Sequence, residues 1–371
     1  MLFLRRGCCT LALFALILPS LLHATENEYV VYLVCEAGDQ IVRARFGPTG
    51  ARIEKEISTA VIASDISGPH GIAVAPDRSA YYVTLGHGRP FGSVQKYATP
   101  DDKLRRQTTL GMFPATADVT PDGNFLFVVN FNLHGGMVPS SVSVVETAEM
   151  AEIARIPTCV MPHGSRVNLQ GTRQYSACMM DDLLVEVDTN ALRVSRTFRV
   201  TRGAEEGFSG LPQAHSSAHA MPNACSPTWA QPATDGGKIY VACNKSNEIV
   251  ELDAGSWRSL RRIPARDGVY NLAVTSDDRL VATNKRDASV SVFDLKTGTE
   301  TARVVTKGKV VHGVVVSPDN RYAFITTEGV GMGPGTVEML DLRTLRMAET
   351  LDVAPQAAGI AFWKTEAAGK P

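Results

Sequence analysis

The sequence predicts an all-β protein, a seven-bladed β-propeller, and a repeated unit carries most of that prediction. An apolar strand, a polar turn and a second apolar strand recur along the chain, as in residues 69–84 and 311–327. One such unit cannot bury its own faces, so copies must stack into a propeller or a solenoid. The turns begin at positions 76, 121, 169, 234, 276 and 318, a spacing of roughly 45 residues with one longer step.

The two ends of the chain supply the seventh blade. Residues 358–363 read as an inner strand with no second strand after it, and residues 29–35 read as a second strand with no inner strand before it. Pairing these segments closes the ring and removes exposed sheet edges. We therefore expect one domain over 25–371, with four antiparallel strands in each blade and an insertion at 201–223 before blade 5.

The first 24 residues are predicted to be a signal peptide. Arg5 and Arg6 precede an apolar run over 8–22, and Ala24 suits a cleavage site. The run is short for a membrane span. We expect a periplasmic or secreted protein without membrane insertion.

The charge pattern restricts the class of partner. The formal net charge is -1, and acidic and basic residues are well mixed. Binding to nucleic acid would require a basic patch or stripe. The sequence therefore predicts a monomer whose partner is a small molecule, a metal ion or another periplasmic protein, and it excludes nucleic acid.

Five cysteines follow the predicted leader, and an odd number cannot pair fully within one chain. Cys35, Cys178 and Cys243 end similar strands, which indicates a small, buried packing position. Cys159 and Cys225 both precede inner strands, which leaves room for one disulfide between them.

Several strand ends resemble those of a known repeat family. The segments are YVT at 82–84, VVN at 128–130, YVAC at 240–243 and VATN at 281–284. With the Pro-Asp turn, they resemble the YVTN or YncE-like β-propeller family over essentially the whole mature chain. The resemblance implies the fold. Related propellers include lactonases, copper and haem enzymes and partner-binding proteins, so the resemblance does not select a function.

The predicted topology gathers the histidines on one face of the disc. His70, His163 and His312 start the inner strands of blades 2, 4 and 7, so three imidazoles could converge on the central axis. The loops on the same face hold further histidines, namely His87, His134, His215 and His219. Imidazole combined with thioether or thiolate suits copper, or zinc where the sulfur is a thiolate. We therefore predict a copper site of His70, His163 and His312, with extra ligands from His219, Met161 or Cys178.

A second group of polar residues near this face is predicted to bind a ligand. Arg166 follows His163 and could steer an anion. The other predicted ligand-binding residues are Asn130, Tyr270 and Asn271. Carboxylate and amide oxygens nearby, including Glu36 and Asn130, could instead hold a hard cation such as calcium.

Three functional hypotheses follow, and the sequence leaves open whether the protein is an enzyme. The first is a periplasmic propeller that binds a ligand or a metal, copper by preference, at the channel mouth, with a role related to redox chemistry. The second is a metal-free interaction scaffold that serves a periplasmic enzyme. The third is a lactonase-like hydrolase that uses a hard cation.

Overall fold

A computed structural model describes residues 27–62, 65–87, 92–212 and 223–368. The predicted leader, His215 and His219 lie outside these ranges. Within them, no helix has the length and apolar character needed to cross a bilayer. The regular structure of the described residues consists of β-strands.

The first three blades are built from strands in chain order, with one strand of blade 1 supplied later. Blade 1 begins with β1 (Asn27–Cys35), β2 (Gln40–Gly47) and β3 (Gly50–Ser58). Blade 2 contains β4 (Pro69–Val74), β5 (Ala80–Leu85), β6 (Ser93–Ala98) and β7 (Lys103–Thr109). Blade 3 contains β8 (Pro114–Val119), β9 (Phe125–Asn130), β10 (Pro139–Glu146) and β11 (Ala151–Val160).

The remaining blades continue the same pattern. Blade 4 contains β12 (Pro162–Val167), β13 (Arg173–Cys178), β14 (Leu183–Asp188), β15 (Arg193–Arg199) and β16 (Glu206–Ser209). Blade 5 contains β17 (Pro227–Pro232), β18 (Lys238–Cys243), β19 (Glu248–Asp253) and β20 (Arg258–Pro264). Blade 6 contains β21 (Val269–Val274), β22 (Arg279–Asn284), β23 (Ser289–Asp294) and β24 (Thr299–Val305). Blade 7 contains β25 (Val311–Val316), β26 (Tyr322–Thr327), β27 (Gly335–Asp341) and β28 (Arg346–Val353), and the last strand is β29 (Ala357–Ala367).

These strands form seven antiparallel sheets arranged as a ring, which confirms the predicted propeller. Strand β29 pairs with β1 and becomes the inner strand of blade 1, so the ends of the chain close the ring as the sequence predicted. Blade 4 departs from the four-strand pattern because β16, from the predicted insertion, adds a fifth strand at its outer edge.

The hydrophobic core lies between the blades. Seven clusters of buried side chains are present, and each joins two neighbouring blades. One cluster, for example, packs Val31 of blade 1 against Phe324 and Val337 of blade 7. The inner strands that face the channel are therefore packed between neighbouring blades on both sides.

The cysteines pair differently from the expected arrangement. Cys159 bonds to Cys178 and Cys225 bonds to Cys243. The suggested bond between Cys159 and Cys225 is therefore wrong. Cys159, at the end of blade 3, bonds to the end of the second strand of blade 4, and Cys225, just before blade 5, bonds to the end of the second strand of blade 5. Only the three-dimensional register reveals these pairs. Cys35 remains a buried free thiol, and burial raises its pKa to about 12.

Candidate metal centre

Every inner strand carries a bulge close to the channel mouth. In β4, the register against β5 shifts between Pro69 and Ile72, and the other inner strands shift at the corresponding place. A bulge bends a strand and redirects the side chain within it. In each blade, the second residue of the inner strand occupies the bulge. We call these seven positions the mouth ring: His70, Ala115, His163, Thr228, Tyr270, His312 and Ala358.

Each histidine of the mouth ring is followed by a glycine because the next blade comes very close at that point. A Cβ on any of these glycines would lie far inside contact distance of a backbone oxygen in the neighbouring blade. The distances would be 2.1 Å from Gly71 to Ala115 O, 2.2 Å from Gly164 to Thr228 O and 2.6 Å from Gly313 to Ala358 O. The His-Gly pair thus combines a side chain aimed at the mouth with tight packing between blades.

The three histidines meet at the axis of the propeller. The ring centroid of His70 lies 5.7 Å from that of His163 and 5.4 Å from that of His312, and the third pair is 6.4 Å apart. One ligand atom from each residue lies within 4.8 Å of the others, and all three residues are buried. Three nitrogens held tetrahedrally at about 2.1 Å from one ion lie about 3.4 Å apart. The imidazoles would therefore have to approach one another by up to roughly 1.4 Å to bind a metal together.

The hydrogen-bond partners leave nitrogen lone pairs free to bind a metal. The Nδ1 atom of His70 lies 2.7 Å from a carboxylate oxygen of Glu36, and that of His163 lies 3.2 Å from the Thr228 carbonyl oxygen. These oxygens accept hydrogen bonds, so each Nδ1 carries a hydrogen, and a neutral ring then keeps its lone pair on Nε2. Among the described residues, His70 Nε2 and both ring nitrogens of His312 are buried without a partner. A bound cation would satisfy His70 Nε2 and the one His312 nitrogen that carries the lone pair, whereas the other His312 nitrogen carries a hydrogen and needs an acceptor.

The electrostatic surroundings keep two of the imidazoles neutral. Burial lowers the pKa of His163 to about 3, and the nearby His70 acts in the same direction. Burial also lowers the pKa of His312 well below its ordinary value, assisted by the charge of Lys285. Neutral imidazole is the form that binds metal, so these residues need not lose a proton first.

Glu36 connects the metal centre with an outer histidine. Its burial opposes ionisation, but contacts with His70 and His87 hold the pKa of the carboxyl far below its ordinary value. His87 Nε2 lies 3.2 Å from the second carboxylate oxygen, and this contact raises the pKa of His87. A carboxylate bonded to the far nitrogen of a ligating histidine fixes the orientation of the ring and increases its basicity.

Tyr270, Lys285 and Glu328 form the opposite wall of the centre. The Tyr270 hydroxyl lies 3.1 Å from His163 Nε2, and burial raises the pKa of Tyr270 to about 12, so the phenol remains a donor. Lys285 Nζ lies 2.6 Å from Glu328 and 4.4 Å from the centroid of the Tyr270 ring. Burial opposes the lysine charge, but Tyr270 and Glu328 raise its pKa overall. Glu328 also lies 3.8 Å from His312 Nε2.

The sulfur ligands expected from the sequence do not join this set. The sulfur of Cys178 is bonded to Cys159, so Cys178 does not supply the extra thiolate ligand considered from the sequence. Met161 is buried in the hydrophobic cluster that contains Phe113 and Cys159, which gives it a packing role. His219 lies outside the described residues. The donors that converge are therefore the three imidazole nitrogens.

Asn130 has a structural role, contrary to its prediction as a ligand-binding residue. Its carbonyl oxygen accepts from Gly111 N, and its amide nitrogen donates to Ser141 and Ser143 at 2.9 Å each. Asn284 donates in the same way to two serines in blade 6. Both amides tie a second strand to a third strand. The side-chain oxygen of Asn130 is engaged by Gly111, whereas that of Asn284 is buried without a partner among the described residues.

The other two predicted ligand-binding residues, Arg166 and Asn271, lie deeper in the channel than the histidines. Both line a cavity directly beneath the mouth ring. Sequence reasoning missed Lys285 and Trp229, because neither belongs to a recognisable motif. Tyr270, which was predicted from the sequence, occupies the repeat position that holds histidine in blades 2, 4 and 7.

Comparisons with known proteins identify similar folds among solved structures. No protein-family model matches the sequence, and no curated protein matches it. The periplasmic gluconolactonase PpgL of Pseudomonas aeruginosa is 17% identical, with a TM-score of 0.69 and coverage of 91% of this chain and 99% of that chain. Hydrazine synthase of Kuenenia stuttgartiensis is 18% identical, with a TM-score of 0.63 and coverage of 82% and 92%.

A third solved structure, the dihydro-heme d1 dehydrogenase NirN in complex with DHE, is 14% identical, with a TM-score of 0.60 and coverage of 90% of this chain and 75% of that chain. The three proteins carry different activities in their names. Propellers support unrelated chemistries on one scaffold. At these identities, the comparisons show that the chain shares the seven-bladed β-propeller fold.

Proposed function

We propose that this chain is an exported, periplasmic propeller that binds one transition-metal ion, copper by preference, through the Nε2 atoms of His70, His163 and His312. The observation that carries the proposal is the convergence of three buried imidazoles whose ring nitrogens include three without a partner among the described residues. Leaving such groups unpaired costs roughly 1–3 kcal/mol each, and a metal ion bound to the Nε2 atoms of His70 and His312 would remove that cost for two of the three.

The choice of metal rests on the donor set. With the sulfur of Cys178 in a disulfide, the set consists of imidazole nitrogens, which suit copper, zinc, iron and nickel better than calcium or magnesium. Copper(II) forms the most stable complexes with nitrogen donors among the divalent first-row metals. A metal would take the His163 lone pair that now accepts from Tyr270. The phenol would then be free to donate to a ligand at an open coordination position.

The proposed location rests on two independent observations. The predicted leader over 1–24 directs export, and the two disulfides suit an oxidising compartment such as the periplasm. We also propose that the repeats are of the YVTN type, on the strength of the strand-end segments at 82–84 and 240–243.

Metal titration of the mature, metal-free protein tests the proposal. We expect one Cu²⁺ per chain, tighter than Zn²⁺, and no stoichiometric Ca²⁺. Nitrogen hyperfine structure in the electron paramagnetic resonance spectrum of the copper form would identify imidazole ligands. Absence of stoichiometric copper and zinc would reject the metal site and favour the metal-free scaffold. Calcium-dependent turnover of lactones without copper binding would favour the hydrolase.

A further inference from the structure

A second polar site lies in the channel beneath the mouth ring. It is a small cavity with a volume of about 20 Å³ open to the centre of a water-sized molecule, which limits any occupant to a few non-hydrogen atoms. Its upper wall is formed by His70 and His312, and Ile72 and Ile360 supply apolar surface. The polar groups that reach it from the other blades belong to Thr116, Arg166, Trp229 and Asn271.

Two buried groups at this cavity lack hydrogen-bond partners among the described residues. They are the indole N–H of Trp229 and the side-chain oxygen of Asn271, and each residue is only 4% exposed. A buried donor or acceptor without a partner costs roughly 1–3 kcal/mol. The orientation of an asparagine amide can be reversed at small cost in shape, so Asn271 can offer either an acceptor or a donor. The indole nitrogen can only donate, so the missing partner of Trp229 must be an acceptor.

Arg166 adds a positive charge that no carboxylate neutralises at close range. Its guanidinium lies 4.5 Å from the centroid of the Trp229 ring, and Nη1 donates to the carbonyl oxygen of Ser165. Among the described residues, Arg166 forms no salt bridge with a carboxylate. The nearest acidic influence is Asp118, whose oxygens accept from Val119 N and Val167 N. Most of the N–H donors of the guanidinium therefore remain available.

We propose that this cavity is a binding site for a small planar oxyanion of three or four non-hydrogen atoms, the class that includes formate, nitrite and bicarbonate. The planar guanidinium of Arg166 matches two oxygens of such an anion, and the Trp229 N–H supplies a further donor. The apolar walls formed by Ile72 and Ile360 favour a compact ligand over a large, strongly hydrated one.

This site goes beyond the proposed metal function and does not depend on it. The donors belong to Arg166 and Trp229, and neither residue is among the three histidines of the metal centre. Anion binding is therefore expected in metal-free protein. A protein that binds the anion but no metal would contradict only the metal proposal, and a protein that binds metal but no anion would contradict only the anion proposal.

Nuclear magnetic resonance of the indole N–H groups provides a direct test. Metal-free mature protein labelled with ¹⁵N-tryptophan would be titrated with sodium formate at constant ionic strength, with formamide as the neutral control. The Trp229 resonance is assigned by its absence in Trp229→Phe. We expect it to shift saturably with formate but not with formamide. Arg258→Gln, which removes an exposed arginine from an outer strand, should behave as the wild type.

Variants at the site determine the outcome. We expect Arg166→Gln to weaken formate binding at least about tenfold, since hydrogen bonds to charged groups contribute roughly 1.5–3 kcal/mol. If Arg166→Gln does not fold, Trp229→Phe keeps an aromatic ring but removes the N–H donor, and calorimetry should show weaker formate binding. No formate-dependent shift in the wild type, or equal affinity in a folded site variant, would overturn the proposal and leave water as the occupant.

Discussion

Polar side chains lie at both ends of the inner strands and recur from blade to blade. At the turn end they have hydrogen-bond partners, whereas at the channel mouth several buried nitrogens have none among the described residues. At the end away from the mouth, aspartates of the turns accept hydrogen bonds from nearby hydroxyl and N–H groups. They are Asp77, Asp122, Asp277 and Asp319. At the mouth, the ring positions vary from histidine to tyrosine, threonine and alanine, and buried nitrogens lack partners. A polar residue that repeats with its partners stabilises the fold, whereas a varied and unsatisfied set indicates a binding site.

The largest effect that separates the two ends is expected from His163→Ala. Loss of one of three direct ligands should weaken Cu²⁺ binding by more than about 100-fold, because loss of a residue that only supports a ligand already costs 10–100-fold. Competition titration against a chromophoric chelator measures the change. His134→Ala removes an exposed histidine and should leave the affinity unchanged. Equal weakening in both variants would show that binding is not specific to the mouth ring.

The supporting carboxylate should have the next largest effect. Glu36→Gln replaces the charged partner of His70 with a neutral amide, so we expect Cu²⁺ affinity to fall by about 10–100-fold. Glu328→Gln is the matched comparison, because Glu328 lies 3.8 Å from His312 Nε2 and bonds instead to Lys285. It should have a smaller effect. A larger loss in Glu328→Gln would mean that the roles of the two carboxylates are reversed.

Substitutions in the turns away from the mouth should lower the stability of the protein without changing its affinity for copper. Asp122 accepts hydrogen bonds from the Thr120 hydroxyl and from the backbone and side chain of Asn124. Asp122→Ala should lower the free energy of unfolding by about 1 kcal/mol, measured by urea denaturation, with copper affinity unchanged. A variant with unchanged stability and weakened copper binding would contradict the division between the two ends.

The smallest expected effect is a change with pH in how much Asp122 stabilises the folded protein. Hydrogen bonds from Thr120 and Asn124 lower the pKa of Asp122 relative to the unfolded chain. Its contribution to stability is therefore present above the unfolded pKa of 3.8 and is lost as the pH falls through the folded pKa. The difference in urea midpoint between the wild type and Asp122→Asn should narrow from pH 5 to pH 3. A difference that widens over this range would exclude a stabilising carboxylate.

Much of the fold could be predicted because the repeat is local. Each blade contains its own strands and turn, so the count of seven and the closure by β1 and β29 follow from the chain itself. The fifth strand of blade 4 was not predicted, since Glu206–Ser209 is short and has no clear alternation. The disulfides were paired wrongly because their partners are set by the register between strands.

The candidate site was predictable only where it follows the repeat. His70, His163 and His312 occupy the same repeat position in their three blades, so their convergence on the axis could be predicted. The roles of Lys285 and Trp229 depend on contacts across blades, which the sequence does not encode locally. Asn130 lies near the mouth as expected, but its amide is taken up by Gly111 and two serines. The sequence could therefore predict that Asn130 lies near the mouth, but it could not predict which groups its amide bonds to.

Elemental analysis by mass spectrometry, on untagged protein purified from a periplasm supplied with copper, zinc and calcium, tests the central claim most directly. The proposed metal centre predicts close to one copper ion per chain in the wild type and in His134→Ala, and loss of that copper in His163→Ala. A wild type without bound metal, or a His163→Ala variant that keeps its copper, would contradict it.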